Sequence, residues 1–253
     1  MKLPRTIRPA PILAAVLSLC LAGYLAVWPA LGYTADRPLP IYCVDRPEKV
    51  CAISFDAAWG ADNTQGILDV LAKYNVKATF FVVGCQAEKD PDIVRRIADE
   101  GHQVGNHSYD HADLHTLTAA QAAEDLRRND DLLRQLLGDG DYWVRPPYGL
   151  LAERDAAALP VPLVNWSVDT EDWRTKDCGK ILDVIYRCTG DGDIVLLHDR
   201  YQSSVDAALT AIAHLQEQGY VFVTVAELLA LRGVTPEPGV TYRRAPPQEA
   251  EGG

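Results

Sequence analysis

Ala52-Ile53-Ser54-Phe55-Asp56 is an apolar run that closes on a carboxylate, and the chain repeats this pattern with polar groups of other kinds. Gln103-Val104-Gly105 leads to His107, Trp143-Val144 ends at Arg145, residues 163–168 lead into Asp169 and Asp172, and Ile194-Val195-Leu196-Leu197 ends at His198. Two further runs, at 78–83 and 220–225, bring the expected strands to seven. Between them lie segments with helical periodicity. In the first, at 63–75, Ile67, Leu68, Val70 and Leu71 form one apolar stripe; others are expected at 91–99, 118–137, 152–158, 180–186, 205–218 and 226–231. Pro91 suits the first turn of its helix. Nearly unbroken apolar strands alternating with helices predict an α/β fold with a parallel sheet covered by helices. Its natural closure is a seven-fold barrel, and in such folds chemistry gathers at the C-terminal strand ends. The polar residues fall there.

With 253 residues and 48% apolar content, the chain can bury one good-sized core. The first 35 residues carry Lys2, Arg5, Arg8 and no acid; the remainder has 21 basic and 35 acidic side chains, a net of −14. That balance argues against nucleic acid or an anionic membrane face as partner. Residues 9–35 hold no charged side chain, and 12–31 are long enough to cross a hydrocarbon core of about 30 Å. Basic residues precede this stretch, so an uncleaved anchor would leave everything after Asp36 outside the cell. A cleaved signal peptide, with Ala30-Leu31-Gly32 as its site, is the alternative and makes the protein secreted. The expected organisation is an anchor or signal at 1–35, an exposed spacer at 36–46, one catalytic domain at 47–233, and a disordered Pro-, Gly- and Glu-rich tail at 234–253. No Cys-x-x-Cys metal spacing occurs. Cys43 and Cys51 flank a hairpin-like Pro47-Glu48-Lys49, so a local disulfide suits an oxidising compartment.

His107 and His111 have i, i+4 spacing, which places two imidazoles on one face of a helical turn where they can share a divalent ion. Asp56 closes an apolar strand, where an unpaired carboxylate is costly, and Arg145 is the cation expected to hold it through a bidentate pair. His198 and Asp172 suggest an imidazole whose pKa a carboxylate raises, so that it can donate a proton near neutral pH. His102, His115 and His214 have no such company.

Ser54-Phe55-Asp56, His107-x-x-x-His111, Arg145-Pro146-Pro147-Tyr148-Gly149, Asp169-x-x-Asp172-Trp173 and Leu196-x-His198 stand in the same order as the five motifs of the polysaccharide deacetylases, the NodB-homology or carbohydrate esterase family four. The resemblance covers about residues 50–226, and is nearest to the membrane-anchored, sporulation-type branch with its Phe-Asp-x-x-Trp-Gly opening. It implies a NodB-type distorted (β/α)7 barrel and metal-dependent N-deacetylation of an extracellular N-acetylglucosamine-containing polysaccharide, peptidoglycan foremost, by a monomer. It implies Asp56 as general base, His198 as general acid tuned by Asp172, and Arg145 as the group orienting Asp56. The Tyr148 N–H would serve the oxyanion, with Trp173 and Leu196 lining the acetyl pocket. The metal on His107 and His111 would be zinc first, with cobalt, manganese or nickel as alternatives. One position departs from the family: a second Asp usually follows the first and is the third metal ligand, whereas Ala57 stands here. Asp62 is the candidate replacement, Asn63 another, and either can instead cap the following helix; a third option has Asp56 itself on the metal. The departure keeps open a catalytically idle glycan-binding protein, and an O-acetyl xylan-type esterase is the alternative within the enzymes.

Overall fold

The computed structural model describes residues 49–57 and 61–246, without the side chains of residues 61, 62, 153 and 154. The expected anchor, spacer and Cys43 lie outside the described residues, and Cys51 is a buried free cysteine. Among the described residues no helix is long and apolar enough to cross a membrane.

Strand β1 (Lys49–Ala57) is the centre of the fold and is buried from Val50 to its end. It shows no alternation of exposed and buried positions because other elements cover both its faces, as in any interior strand of a parallel sheet. β2 (Thr79–Val82), β3 (Gln103–Asn106), β5 (Val168–Asp169) and β6 (Ile194–His198) extend the sheet in the order β3-β2-β1-β6-β5, and β7 (Tyr220–Phe222) pairs with the first residues of β1. All these pairings are parallel. Their register sets Asp56 beside His198 across β1 and β6, and Val82 beside Asn106 across β2 and β3. Parallel pairing thus delivers the ends of β1, β3 and β6 to one rim.

Helices α1 (Ala61–Lys73), α2 (Gly84–Ala87), α3 (Pro91–Asp99), α4 (Ala119–Leu137), α5 (Glu153–Ala156), α6 (Asp172–Thr175), α7 (Cys178–Cys188), α8 (Gln202–Glu217) and α9 (Val225–Leu231) supply the crossovers. Local chemistry fixes several starts. Pro91 occupies the first turn of α3 behind an Asp90 cap, and Thr118 and Gln121 form a capping box that opens α4. Ile67, Leu68 and Leu71 of α1 are fully buried with Phe55 and Phe80, whose rings stack at 5.1 Å. Burying side chains of this size stabilises by about 1.5–3 kcal/mol each.

The wall is less regular than seven even strands. The run expected at 143–145 narrows to bridges from Val144 to Asn106 and to Leu163. The run expected at 163–168 divides into β4 (Leu163–Val164) and β5 because the chain changes partner midway: the Asn165 N–H donates to Tyr242 O, whereas the Ser167 N–H donates to Ile194 O. The expected disordered tail is corrected in its first half. β8 (Thr241–Tyr242) pairs with β4, Arg244 bridges Asp193 at the entrance to β6, and Ala245 is fully buried. Low apolar content concealed this segment, which is held by backbone pairing and a few well-placed side chains; residues 247–253 lie outside the described residues.

Candidate active site

Among the described residues Arg145 is the largest fully buried side chain. Its guanidinium donates through one terminal nitrogen to Asp56 Oδ1 (2.9 Å) and through the other to Ser54 Oγ (2.9 Å) and the Asn165 carbonyl (3.2 Å), while Nε donates to the Val164 carbonyl (3.2 Å). The fork is therefore shared between Asp56 and Ser54, and the bidentate carboxylate pair expected from sequence is not formed. Ser54 was legible as a partner only through strand period, which puts it on the same face as Asp56. Burial pushes the Asp56 carboxyl upward, but His107, Arg145 and His198 outweigh this and hold it well below the usual carboxylate range. Asp56 is ionised at neutral pH.

The other oxygen, Asp56 Oδ2, lies 3.1 Å from His107 Nε2 and 3.8 Å from His198 Nε2. His107 Nδ1 is 2.7 Å from the Arg145 carbonyl, which can only accept, so Nδ1 carries a proton. Nε2 is buried and has no hydrogen-bond partner. A bare imidazole nitrogen against a carboxylate oxygen needs a cation or a second proton between them. The His111 ring meets His107 edge-on at 5.0 Å and Tyr148 at 5.1 Å, and burial chiefly lowers its pKa to about 4. His111 is a neutral donor at neutral pH. These two imidazoles fit a divalent ion; no set of three His, Cys, Asp or Glu side chains among the described residues does so alone. Ala57 is buried at the end of β1, and the Asp62 side chain lies outside the described residues.

The segment carrying the histidines is not the helical turn their spacing suggested. Residues 107–111 form an irregular loop in which Ser108 (φ 66°) and His111 (φ 54°) are left-handed, and those two turns bring the rings together. Tyr148 is also left-handed (φ 61°) and largely exposed.

Behind His198, Asp172 is fully buried. Its Oδ1 lies 2.7 Å from His198 Nδ1 and accepts from the Trp173 N–H (2.8 Å); its Oδ2 accepts from the His198 N–H (2.7 Å) and Ser204 Oγ (2.6 Å). Burial alone would lower the His198 pKa, but the Asp172 hydrogen bond and the charges of Asp56 and Asp172 raise it above the ordinary value. Nε2 remains directed toward Asp56.

These groups face a cavity of about 580 Å³ lined by Asp56, His111, Tyr148, Leu196 and His198, with a rim that includes Trp173. Trp173 is half exposed, so it walls the entrance as well as any acetyl pocket, whereas Leu196 is buried. Trp166, Asp169, Arg200 and Tyr201 also line the cavity. Asp169 had been placed at a strand end without a role, whereas Trp166, Arg200 and Tyr201 had not been singled out, because the neighbour of a strand end carries no periodic signature of its own. Sequence had thus identified nine side chains that the fold brings together: Asp56, His107, His111, Arg145, Tyr148, Asp172, Trp173, Leu196 and His198.

A buried carboxylate–arginine pair, two adjacent imidazoles and a histidine backed by aspartate lie together, and Asp56, His111 and His198 among them open on one cavity. The polysaccharide deacetylase family model matches residues 44–159. The peptidoglycan-N-acetylglucosamine deacetylase PgdA of Listeria monocytogenes is 36% identical over 183 residues, 72% of this chain and 39% of that protein. The structure of peptidoglycan deacetylase PdaC from Bacillus subtilis matches with a TM-score of 0.72 at 36% identity, covering 75% of this chain and 94% of that one. BA3943 of Bacillus anthracis, described as a CE4 family pseudoenzyme, matches with a TM-score of 0.68 at 31% identity over 72% of this chain and 66% of that one. The chain belongs to the polysaccharide deacetylase family. It spans about two fifths of the length of its Listeria relative.

Proposed function

We propose that the protein is a metal-dependent hydrolase that removes N-acetyl groups from an extracellular N-acetylglucosamine-containing polysaccharide, peptidoglycan foremost, and is held at the cell membrane by residues 12–31. The observation carrying this reading is the single cavity onto which Asp56, His111 and His198 open together, with the orphaned His107 Nε2 directly behind. Asp56, kept ionised and fixed by Arg145, takes a proton from the attacking water. His198, kept protonated by Asp172, gives a proton to the departing amine; its Nε2 lies 3.8 Å from Asp56 Oδ2 and both residues line the same cavity, which supports a paired acid and base. His107 and His111 would hold the divalent ion, zinc first, and Asp62 would complete its shell. When bound, such an ion supplies Lewis acidity toward the acetyl carbonyl. The Tyr148 N–H serves the oxyanion, and Trp173 and Leu196 bound the acetyl group. The purified protein should release acetate from chitooligosaccharide or peptidoglycan with added divalent metal, and His107→Ala should abolish release. No acetate from any glycan with any metal tested sinks this reading.

Ala57 favours a second reading, a catalytically idle protein that retains the cleft for glycan binding; the family contains a member described as a pseudoenzyme. That reading requires negligible metal uptake and glycan binding indifferent to His111→Ala. Ala57→Asp separates the two in kind: an idle site gains acetate release from the new carboxylate, whereas an active one already has it.

A further inference from the structure

The loop that carries both imidazoles has two left-handed non-glycine residues, Ser108 and His111, and no secondary structure of its own. Such a backbone persists only where its surroundings over-determine it. The Gly84 and Cys85 N–H groups donate to the Ser108 (3.0 Å) and Tyr109 (2.8 Å) carbonyls, and the side-chain part of those surroundings comes from one face of α4. Asp125 and Asn129 are four residues apart on that helix and so share a face. Asp125 Oδ1 accepts from the Tyr109 N–H (2.8 Å) and Oδ2 from the Asp110 N–H (3.1 Å). Asn129, fully buried in mid-helix, directs its Nδ2 at the Val82 carbonyl (2.8 Å), Asn106 Oδ1 (2.9 Å) and the Ser108 carbonyl (3.0 Å). Asn106 in turn accepts from the Ser108 N–H (2.9 Å) and donates to the Leu126 carbonyl (2.8 Å), tying the end of β3 back to the same helix. The chain makes room for this contact. A Cβ on Gly84 would stand 2.6 Å from the Tyr109 ring and 2.7 Å from Asn129 Oδ1.

We propose that Asp125 and Asn129 are positioning residues that clamp residues 106–110 from α4 and thereby set the approach of the His107 and His111 imidazoles, so that metal affinity depends on a helix that supplies no ligand. The inference rests on the reading that these histidines hold a metal. It also bears on Ala57: a site with two imidazoles and no carboxylate at position 57 depends more on having those imidazoles ordered beforehand, because less binding free energy is available to order them.

The test is zinc binding by the metal-stripped full-length protein, measured by calorimetry or chelator competition, with melting of the metal-free protein recorded alongside. Asp125→Ala is expected to weaken zinc binding at least 10-fold, and Asp125→Asn, which keeps one acceptor, should recover part of that loss. A merely structural helix contact would lower the melting temperature of the metal-free protein and leave zinc affinity alone; zinc affinity of Asp125→Ala within twofold of wild type overturns the proposal. Should Asp125→Ala not fold, Asp125→Asn carries the test, with at least a threefold loss expected and unchanged affinity overturning it. Wild-type protein that takes up no zinc overturns the metal reading itself, a distinct result because His107→Ala would then bind no less than wild type.

Discussion

Arg145→Leu isolates what the buried cation does. The replacement fills much of the same apolar space against Phe81, over whose ring the guanidinium sits at 4.0 Å, so a simple cavity contributes little. The larger effect is electrostatic. Asp56 would keep a buried negative charge with its permanently charged partner gone, and Ser54 Oγ and the Val164 and Asn165 carbonyls would lose their donor. Removing one partner of a buried ion pair costs about 3–5 kcal/mol, against a total domain stability of about 5–15 kcal/mol. For a domain near 200 residues this lowers the melting temperature by about 6–20 °C. Asp56→Asn alone should cost less, because Arg145 retains Ser54 and two carbonyls as acceptors. The double variant carries no unpaired buried carboxylate. It should be less destabilised than the sum of the single variants by about 2 kcal/mol, a coupling within the range of contacting residues. Urea denaturation of the four proteins measures this cycle. Additive effects, or an Arg145→Leu cost below about 1 kcal/mol, would refute the assignment of Arg145 as the counter-charge of Asp56.

Because Asp172 raises the His198 pKa, a protonated acid persists to higher pH; Asp172→Asn should move the alkaline limb of the kcat/KM profile to lower pH, and an unmoved limb would contradict the pairing. His102 is buried, and its Nδ1 accepts from the Ala78 N–H (3.2 Å); burial first, and Lys77 second, lower its pKa to about 4. Its unfolded counterpart takes up a proton near 6.5, so this contribution to stability is complete above that pH and declines as pH falls toward 4. Imidazole proton shifts followed by NMR should show His102 neutral at pH 5.5, and titration near 6.5 would be the contrary result. Gly84→Ala should reduce zinc affinity by displacing Tyr109 and Asn129, and an unchanged affinity would mean the loop tolerates that displacement.

What sequence revealed, and what it hid, divides along the range of the forces involved. Pro91–Asp99 was legible to the residue because its proline, its cap and its apolar stripe are all local. The ends of β1 and β6 were legible because a buried strand is apolar until a functional group interrupts it. Register completed that inference by setting Asp56 opposite His198, 142 positions along the chain. The partner change at Asn165 and the pairing of β8 were not legible, since both rest on backbone groups that every residue carries. Spacing misled at His107 and His111, where i, i+4 stands for an imidazole pair but not for a helix. The rings meet where Ser108 and His111 are left-handed, and between them the Ser108 carbonyl and the Tyr109 and Asp110 N–H groups are hydrogen-bonded by one face of α4, through Asn129 and Asp125, which sequence shows only as two polar residues in a polar helix. Ala57 is the opposite case, a local signal with distant consequences. On the proposed metal reading, one absent carboxylate at the end of β1 shifts the burden of binding onto a loop and, through it, onto α4. A polysaccharide deacetylase of this pattern should therefore tolerate substitution at the strand ends less evenly than its motifs suggest, with the α4 face among the sensitive positions.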